Sequence, residues 1–530
     1  SYGTDTGVGG TVRGNYATLN PLNNVATLAN GNLDISSASA AWLGSSGTIL
    51  PNAGKWYWEM TVTSLTNYVF TGIASPTFAQ ASGSYTGVSS NSYSYASNDG
   101  RKWNNGSSSA YGATFTTNDV IGVALDMDAG TLTFYKNGTS QGTAFTGLTG
   151  TYGPSLSVYQ AGCSMNFGQR PFAYTAPSGF KALCTQNLPT PTIGATTATQ
   201  ANLYFNPAIY TGTNATQSIT TGFQPDLVWV KVRSSVSRNT LFDAVRGVTK
   251  VLWSDSTDAE GTANAGTGLT SLNSTGFTLG TEIAGTSGST NVSGVTYASW
   301  NWKANGTGSS NTSGSITSTV SANTTSGFSV VTYTGNGTFG SVGHGLGVAP
   351  SMVIIKTRNN VYDWLVYHKS LGFLKTLFLN LTSAAVTATE INNTSSTTMT
   401  VQSEACTASN NYVAYCFAEI EGYSKFGSYT GNGSADGPFV FTGMRPAFVM
   451  IKRTDSTANW HILDVSRNTY NVANLLLYPN LSSAEATFST LDILSNGFKI
   501  RNSDVDFNAS GGTYIYACFA SNPLKYSLAR

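Results

Sequence analysis

Side chains able to do chemistry are scarce in this chain. Histidine occurs three times in 530 residues, at His344, His368 and His461. His344 stands in Gly-His-Gly-Leu-Gly, a turn-like setting. A nucleophilic triad needs Ser, His and Asp converging, and no Gly-x-Ser-x-Gly elbow accompanies these histidines. The densest acidic cluster is Asp255, Asp258 and Glu260, in Trp-Ser-Asp-Ser-Thr-Asp-Ala-Glu. Its oxygens could serve calcium, but the EF-hand spacing is absent, and a solvated loop is the expectation. Asp126 and Asp128 bracket a strand end, where Asp is ordinary turn chemistry. Glycoside hydrolysis needs two facing carboxylates, and no motif selects a pair. Cys163, Cys184, Cys406, Cys416 and Cys518 form no Cys-x-x-Cys pair, which argues against zinc. They read as buried free thiols, with a Cys406–Cys416 bridge left open. These residues point to no enzyme, no cofactor and no metal.

Aromatic residues are the better candidates for function. The stretch from Ala81 to Gly112 carries Tyr85, Tyr93, Tyr95, Trp103 and Tyr111 among Ser, Gly and Asn. Such mixtures contact sugars or protein surfaces well, so these five are the candidate ligand-binding residues. The alternative is that several simply cover a core. Charged residues make up 10% of the chain, against about 25% in typical soluble proteins. With aromatics at 12% the chain should fold rather than stay disordered. Hydroxyls and amides must then keep its surface wet, which suits work outside a cell. A net charge of +1 without a basic run argues against nucleic acid. No apolar run approaches the ~20 residues of a membrane helix, so no membrane insertion is expected. No leader is visible, and whether Ser1 is a true start stays open.

The elements that must carry these residues are strands. Short runs rich in Val, Ile, Thr and aromatics alternate with Gly, Asn, Asp and Ser clusters. One hairpin is nearly explicit: Val120 to Met127, a turn at Asp128-Ala129-Gly130, and a return over Thr131 to Lys136. The best helical candidate, Tyr362 to Leu377, is short and aromatic. The fold class is all-β.

Residues 1–189 contain an ordered set of landmarks. They are Gly54-Lys-Trp-Tyr-Trp-Glu59, Asp119-Val-Ile-Gly-Val-Ala-Leu-Asp126, Gly130-Thr-Leu-Thr-Phe-Tyr-Lys-Asn-Gly138 and Met165-Asn-Phe-Gly168. This succession resembles the SPRY family, an antiparallel two-sheet β-sandwich that usually serves as a binding module. Trp56 and Trp58, like Val123 and Leu125, alternate onto one face, as core residues do. The exit sequence, Gln169-Arg-Pro-Phe-Ala-Tyr174 followed by Pro177 to Leu183, resembles SPRY units of tailed-phage structural proteins.

The rest of the chain repeats itself. Tyr-Thr-Gly recurs at Tyr210, Tyr333 and Tyr429. A proline then opens an apolar strand ending in lysine: Pro225 to Lys231, Pro350 to Lys356 and Pro446 to Lys452. A tryptophan follows in two copies, Trp364 and Trp460, and each copy closes on an aromatic strand ending at Trp302, Phe417 or Phe519. The copies are assigned to residues 203–304, 326–427 and 428–530, each a β-rich domain of about 100 residues and too long for a solenoid turn. Residues 190–202 and 305–325 read as linkers, the second as a flexible Gly/Ser/Thr spacer. The three lysines are expected to end strands in solvent. Trp229, Ile354 and Met450 occupy equivalent slots and should be buried alike.

This repeat resembles a module of unknown function found beside SPRY and lectin-like sandwiches in phage tail and fibre proteins. The exit Phe519-Ala-Ser-Asn-Pro-Leu-Lys-Tyr526 is close to the usual end of that architecture. The resemblance implies a virion fibre or appendage subunit, extracellular and non-enzymatic. It would meet a host-surface glycan or protein together with other virion proteins, as a homo-oligomer and most readily a trimer. A purely structural filament or capsid-attached subunit, and a glycan hydrolase on a β scaffold, are the alternatives.

Overall fold

A computed structural model describes residues 15–283, 289–388 and 390–521. Asn522 to Tyr526 of the exit sequence, and the start at Ser1, lie outside them. The described chain is β throughout, with a single turn of α-helix at Val505–Asn508. It divides into two compact units: among the described residues the first runs to Thr190 and takes in Phe439–Gly443, and the second is Pro191–Pro438 with the residues from Met444 onward.

The first unit is a β-sandwich. Its strands are β1 (Leu19–Asn24), β2 (Thr27–Ala29), β3 (Asp34–Ser37), β4 (Leu43–Gly47), β5 (Lys55–Ala74), β6 (Ser92–Ala96), β7 (Arg101–Asn104), β8 (Ser107–Ala110), β9 (Val120–Asp126), β10 (Thr131–Lys136), β11 (Thr139–Phe145) and β12 (Gly153–Asn166). The two long strands β5 and β12 pair with each other along their length and bend where the register shifts, between Tyr159 and Cys163. Their halves therefore belong to different layers. One layer runs β1-β4-β12-β5-β6-β7-β8, and the other takes β9, β10 and β11 on β5 and β3 on β12. The expected hairpin is present, with Thr131 opposite Asp126, and Asp126 Oδ1 accepts the N–H groups of Asp128 and Ala129 in its turn. Trp56, Trp58, Val123 and Leu125 all lie in the core. The exit segment is pinned by Glu59, whose buried carboxylate accepts the N–H groups of Ala173 and Tyr174.

The second unit contains the three copies. Each main sheet has the same order: opening strand, closing strand, Pro-to-Lys strand, then the strand after it. The Tyr of each Tyr-Thr-Gly stacks on the first Tyr of its closing strand. Centroids are 4.9 Å apart in Tyr210–Tyr297, Tyr333–Tyr412 and Tyr429–Tyr514. The glycine follows from close approach, since a Cβ on Gly212, Gly335 or Gly431 would lie 2.2–2.3 Å from a carbonyl oxygen.

The copies close around an internal pseudo-threefold axis. The last aromatic residues of the closing strands form a triangle: Trp302–Phe417 at 6.0 Å, Trp302–Phe519 at 5.7 Å and Phe417–Phe519 at 5.8 Å. Trp229, Ile354 and Met450 are 3%, 4% and 4% exposed, so their equivalence holds.

The lysines overturn the expectation of solvated strand ends, for all three are fully buried. Each ammonium joins two carbonyls, one in its own copy six residues on and one in the next copy. Lys356 Nζ reaches Tyr362 O (2.6 Å) and Thr257 O (2.8 Å), and Lys452 Nζ reaches Ala458 O (2.9 Å) and Thr382 O (3.0 Å). Lys231 Nζ does the same with Ser237 O and Leu481 O. The contacts run copy 1 to copy 3, copy 3 to copy 2 and copy 2 to copy 1, a closed cycle. The indole N–H groups follow it, with Trp364 donating to Trp253 O and Trp460 to Phe378 O. Copy 1 has Asn239 at that position, and its amide donates to Tyr478 O and Leu481 O.

Three further expectations change. Residues 305–325 are no loose spacer, because Ser309–Asn311 and Ser318–Asn323 are strands on the sheet of copy 2. They cover the outer edge of its opening strand, with Ser321 opposite Val330. At the corresponding place in copy 3, the Phe426 N–H donates to Glu419 Oε2. In copy 1 the residue is Pro207, which has no N–H to leave unpaired. The stretch around Tyr362 to Leu377 forms two strands, Leu365–His368 and Lys375–Phe378, rather than a helix. Its aromatic residues fill the sheet. The acidic cluster is not a solvated loop either. Glu260 is paired with Arg246 and Arg358, and Asp255 accepts the Asn239 N–H. The five cysteines are free and buried.

His368 stands where copies 1 and 3 have Asp243 and Asp464. Its Nδ1 accepts the Ser370 N–H and its Nε2 faces Tyr516 O at 3.2 Å, a neutral tautomer, with Lys369 and Glu419 nearby. Burial pushes its pKa down to about 4. A histidine in the unfolded chain titrates near ~6.5. Between these values the unfolded chain binds a proton that the fold refuses. This contribution to stability is therefore full above the unfolded pKa and is lost as pH falls toward 4. Urea melts of wild type and His368→Asn at pH 7, 5.5 and 4.5 should show a shallower acid decline in the variant.

Candidate functional site

The sandwich layer β4-β12-β5-β6-β7 has one face turned into the core and one turned outward. Cross-strand register assigns the residues. Val158, Leu156, Val69 and Ile73 point inward. Tyr159 opposite Tyr68, Ser157 opposite Phe70 and Ser94 opposite Trp103 point outward. The outward face thus alternates small residues with aromatic ones.

The small residues receive the loop between β5 and β6. Gly44 leaves room for Gln80, whose Oε1 would stand 2.5 Å from a Cβ there. Gln80 Nε2 donates to Ser46 Oγ and Ser155 Oγ, while the Thr86 hydroxyl contacts those of Ser155 and Ser157 at 2.8 and 3.1 Å. Ser94 donates to Thr86 O. This buried hydroxyl lattice fixes the loop and hence Tyr85. Gly87, at φ +103°, lets the chain pass beside Trp103.

The aromatic side chains join into one shelf. Trp42 lies 4.6 Å from Phe70, 5.3 Å from Tyr85, 5.6 Å from Tyr159 and 5.8 Å from Tyr68, its plane within 25° of the Tyr68 ring. Trp103 extends it at 5.6 Å from Phe70 and 5.8 Å from Tyr85. Phe70 is the buried floor, Tyr68 is 37% exposed and Val88 is exposed at the margin. Trp42, Tyr85, Trp103 and Tyr159 are half-buried.

Of the five candidates read from the sequence, the shelf takes two, Tyr85 and Trp103. Tyr95 is fully buried, its hydroxyl bonded to Ala113 O, and burial raises its pKa. Tyr111 packs on Tyr95 and Phe134 and donates to Gly142 O. Tyr93 turns inward against Phe145 and Tyr152. Tyr95 is thus a core residue, and Tyr93 and Tyr111 are half-buried and packed against that core. Trp42, Tyr68 and Tyr159 were missed because they lie far apart in sequence. The available signal was parity: Tyr68 and Phe70 alternate with the inward-facing Val69.

No group of three or more His, Cys, Asp or Glu among the described residues is placed to hold a metal. A cavity of about 20 Å³ opens on the pseudo-threefold axis between Trp229, Ile354, Met450 and Ala517. Its walls are apolar, and the Tyr415 hydroxyl turns away to Asp243. It is a small packing gap, left where Ala517 replaces the larger Trp300 and Tyr415 of the other copies.

A family model described as "Domain of unknown function (DUF7483)" matches residues 200–523, more than half of the chain. The chain belongs to the DUF7483 family. The matched DUF7483 segment spans all three copies, so the family's unit is the closed ring of three rather than one repeat. Residues 55–170 match the SPRY domain model, and the first unit is a SPRY domain. SPRY domains are protein-interaction modules. Ran-binding protein 9 of Xenopus tropicalis is 32% identical over 157 residues, 28% of this chain and 29% of that protein. The E3 ubiquitin-protein ligase RKP of Arabidopsis thaliana is 33% identical over 145 residues, 26% and 11% respectively. The DUF7483 chain thus spans under a third of the length of these relatives, within its SPRY part. Among solved structures, the SPRY domain of human HERC1 is 18% identical with a TM-score of 0.26, covering 28% of this chain and 96% of that one.

Proposed function

We propose that this chain is a non-enzymatic subunit of a tailed-phage fibre or appendage that presents its SPRY shelf to a host-surface glycan or protein. The observation that carries the reading is the shelf itself: several aromatic rings, half open, on the outer face of a SPRY sandwich. Half-open aromatic clusters are binding chemistry, since monomer surfaces seldom leave them uncovered. The low charge and the DUF7483 ring support a display role, because the ring folds three copies into one scaffold with few charged residues. A purely structural filament would give the shelf no task. A hydrolase would need two carboxylates beside its ligand, and among the described residues the shelf from Tyr68 to Gly72, Ser155 to Tyr159, Ser92 to Ala96 and Trp103 carries none. Several chains in one particle would add avidity, each contributing one shelf.

The test is adhesion of the purified chain to a panel of bacterial strains, comparing wild type with a Tyr68→Ala/Tyr159→Ala double variant. Both rings lie at the open side and their hydroxyls hold no partner among the described residues, so the fold should survive. Binding is expected to fall at least about tenfold, the scale of losing one or two anchor residues. Equal adhesion by the variant, with an unchanged circular dichroism spectrum, refutes the reading.

A further inference from the structure

We propose that the shelf takes an uncharged saccharide; this rests on its role as the binding face and names the ligand class. The first reason is charge. Around the shelf, among the described residues of that layer, the only ionic side chain on the outward face is Arg101 at the far end of β7, and it is engaged by Asp99 at 3.9 Å and by Ser108 Oγ. An anionic polymer or acidic peptide would find no cluster of cations there.

The second reason is the absence of a backbone edge. The shelf lies on the face of strands that are paired on both sides, so it offers no free N–H or C=O row to an extended peptide. Such a peptide would lay its own amides on aromatic rings and leave them unpaired. A saccharide has C–H faces for the rings and hydroxyls for the rim.

The third reason is the rim. Tyr68, Tyr85 and Tyr159 keep phenol hydroxyls around the Trp42 and Phe70 floor, none engaged by another group among the described residues. A phenol hydroxyl both donates and accepts, as a sugar hydroxyl does. The Trp42 and Tyr68 rings stack on each other, and the exposed Tyr68 ring gives the open face. Beneath it the Gln80, Thr86, Ser155 and Ser157 lattice fixes Tyr85 before a ligand arrives, which lowers the ordering cost of a weak contact.

The probes are neutral oligosaccharides, hexose tetrasaccharides and N-acetylglucosamine oligomers, titrated into the full chain. Binding is followed by ligand-observed NMR and tryptophan fluorescence. At least one probe should bind saturably, lose affinity at least tenfold in Tyr68→Ala/Tyr159→Ala, and change less than twofold between low and high salt, because no ion pair forms. Adhesion to cells should be abolished by periodate treatment of the cells and survive protease. Shelf-dependent adhesion that is removed by protease and untouched by periodate overturns the saccharide and leaves the display role standing. Adhesion indifferent to the shelf overturns the display role itself.

Discussion

Truncating Phe417 to alanine is expected to weaken all three copies of the DUF7483 ring at once. Phe417 is buried and stands at the point where the copies meet, 4.9 Å from Phe328 in its own copy. It lies 6.0 Å from Trp302 of copy 1 and 5.8 Å from Phe519 of copy 3. Losing a buried phenylalanine costs about 3–5 kcal/mol where the surroundings cannot collapse into the gap. Three facing aromatic rings fixed by three sheets have little freedom to do so, and the axis already holds a gap beside Ala517. The loss should appear as an earlier, still single transition in denaturant, seen equally by tryptophan fluorescence and far-ultraviolet dichroism. A second transition within the ring, besides that of the separate SPRY unit, or a loss under about 1 kcal/mol, would show that the copies fold independently.

Much of this architecture was legible because each copy repeats its local signals. The spacing from Pro225, Pro350 and Pro446 to the lysines located three equivalent strands, and the slot of Trp229, Ile354 and Met450 was readable as core. What could not be read was where the equivalent residues meet. A lysine ending an apolar strand reads as a solvated terminus, since burial of an ammonium is costly unless it is paired. Its partners, Leu481 O, Thr257 O and Thr382 O, lie in another copy and are backbone atoms of unremarkable residues. Residues 305–325 misled for a related reason: Ser and Thr make adequate edge strands when a neighbour supplies the ladder. In the SPRY sandwich, core aromatics and shelf aromatics share one composition, and only the register of β5, β6 and β12 separates Tyr93 and Tyr95 from Tyr68 and Tyr159.

The seams of the ring differ in their polar contacts. Copies 2 and 3 are joined by a short link, from Phe417 to Ser424. Copies 3 and 1 meet with no direct link, and a set of polar contacts crosses there. Arg233 forms a fork with Glu485, Arg467 holds the same carboxylate, the Trp300 indole donates to Asp464, and the Ser254 hydroxyl donates to Pro479 O. At the tethered seam Thr454 and Ala385 replace the arginine and glutamate, and only the backbone bond from Ala385 N to Thr454 O remains.

The seam between copies 1 and 2 gives the second large effect. Asp243 and Arg246 are completely buried and paired, Tyr415 of copy 2 donates its hydroxyl to Asp243, and Arg246 also reaches Glu260. Burial would raise the pKa of Glu260, but the guanidinium groups of Arg358 and Arg246 outweigh it and hold the carboxyl below its usual range. Asp243→Ala leaves the Arg246 guanidinium with one carboxylate instead of two and strips Tyr415 of its acceptor. Breaking a buried pair from one side costs about 3–5 kcal/mol, whereas replacing both partners with well-packed neutral groups can cost little. Copy 2 already carries the neutral version, with His368 and Leu371 where copies 1 and 3 have Asp and Arg. Asp243→Ala should therefore destabilise the ring strongly in urea melts. The double variant Asp243→His/Arg246→Leu should recover most of the loss at neutral pH. A double variant as unstable as Asp243→Ala would mean that the ionic pair itself, and not the satisfaction of each buried group, holds copies 1 and 2 together.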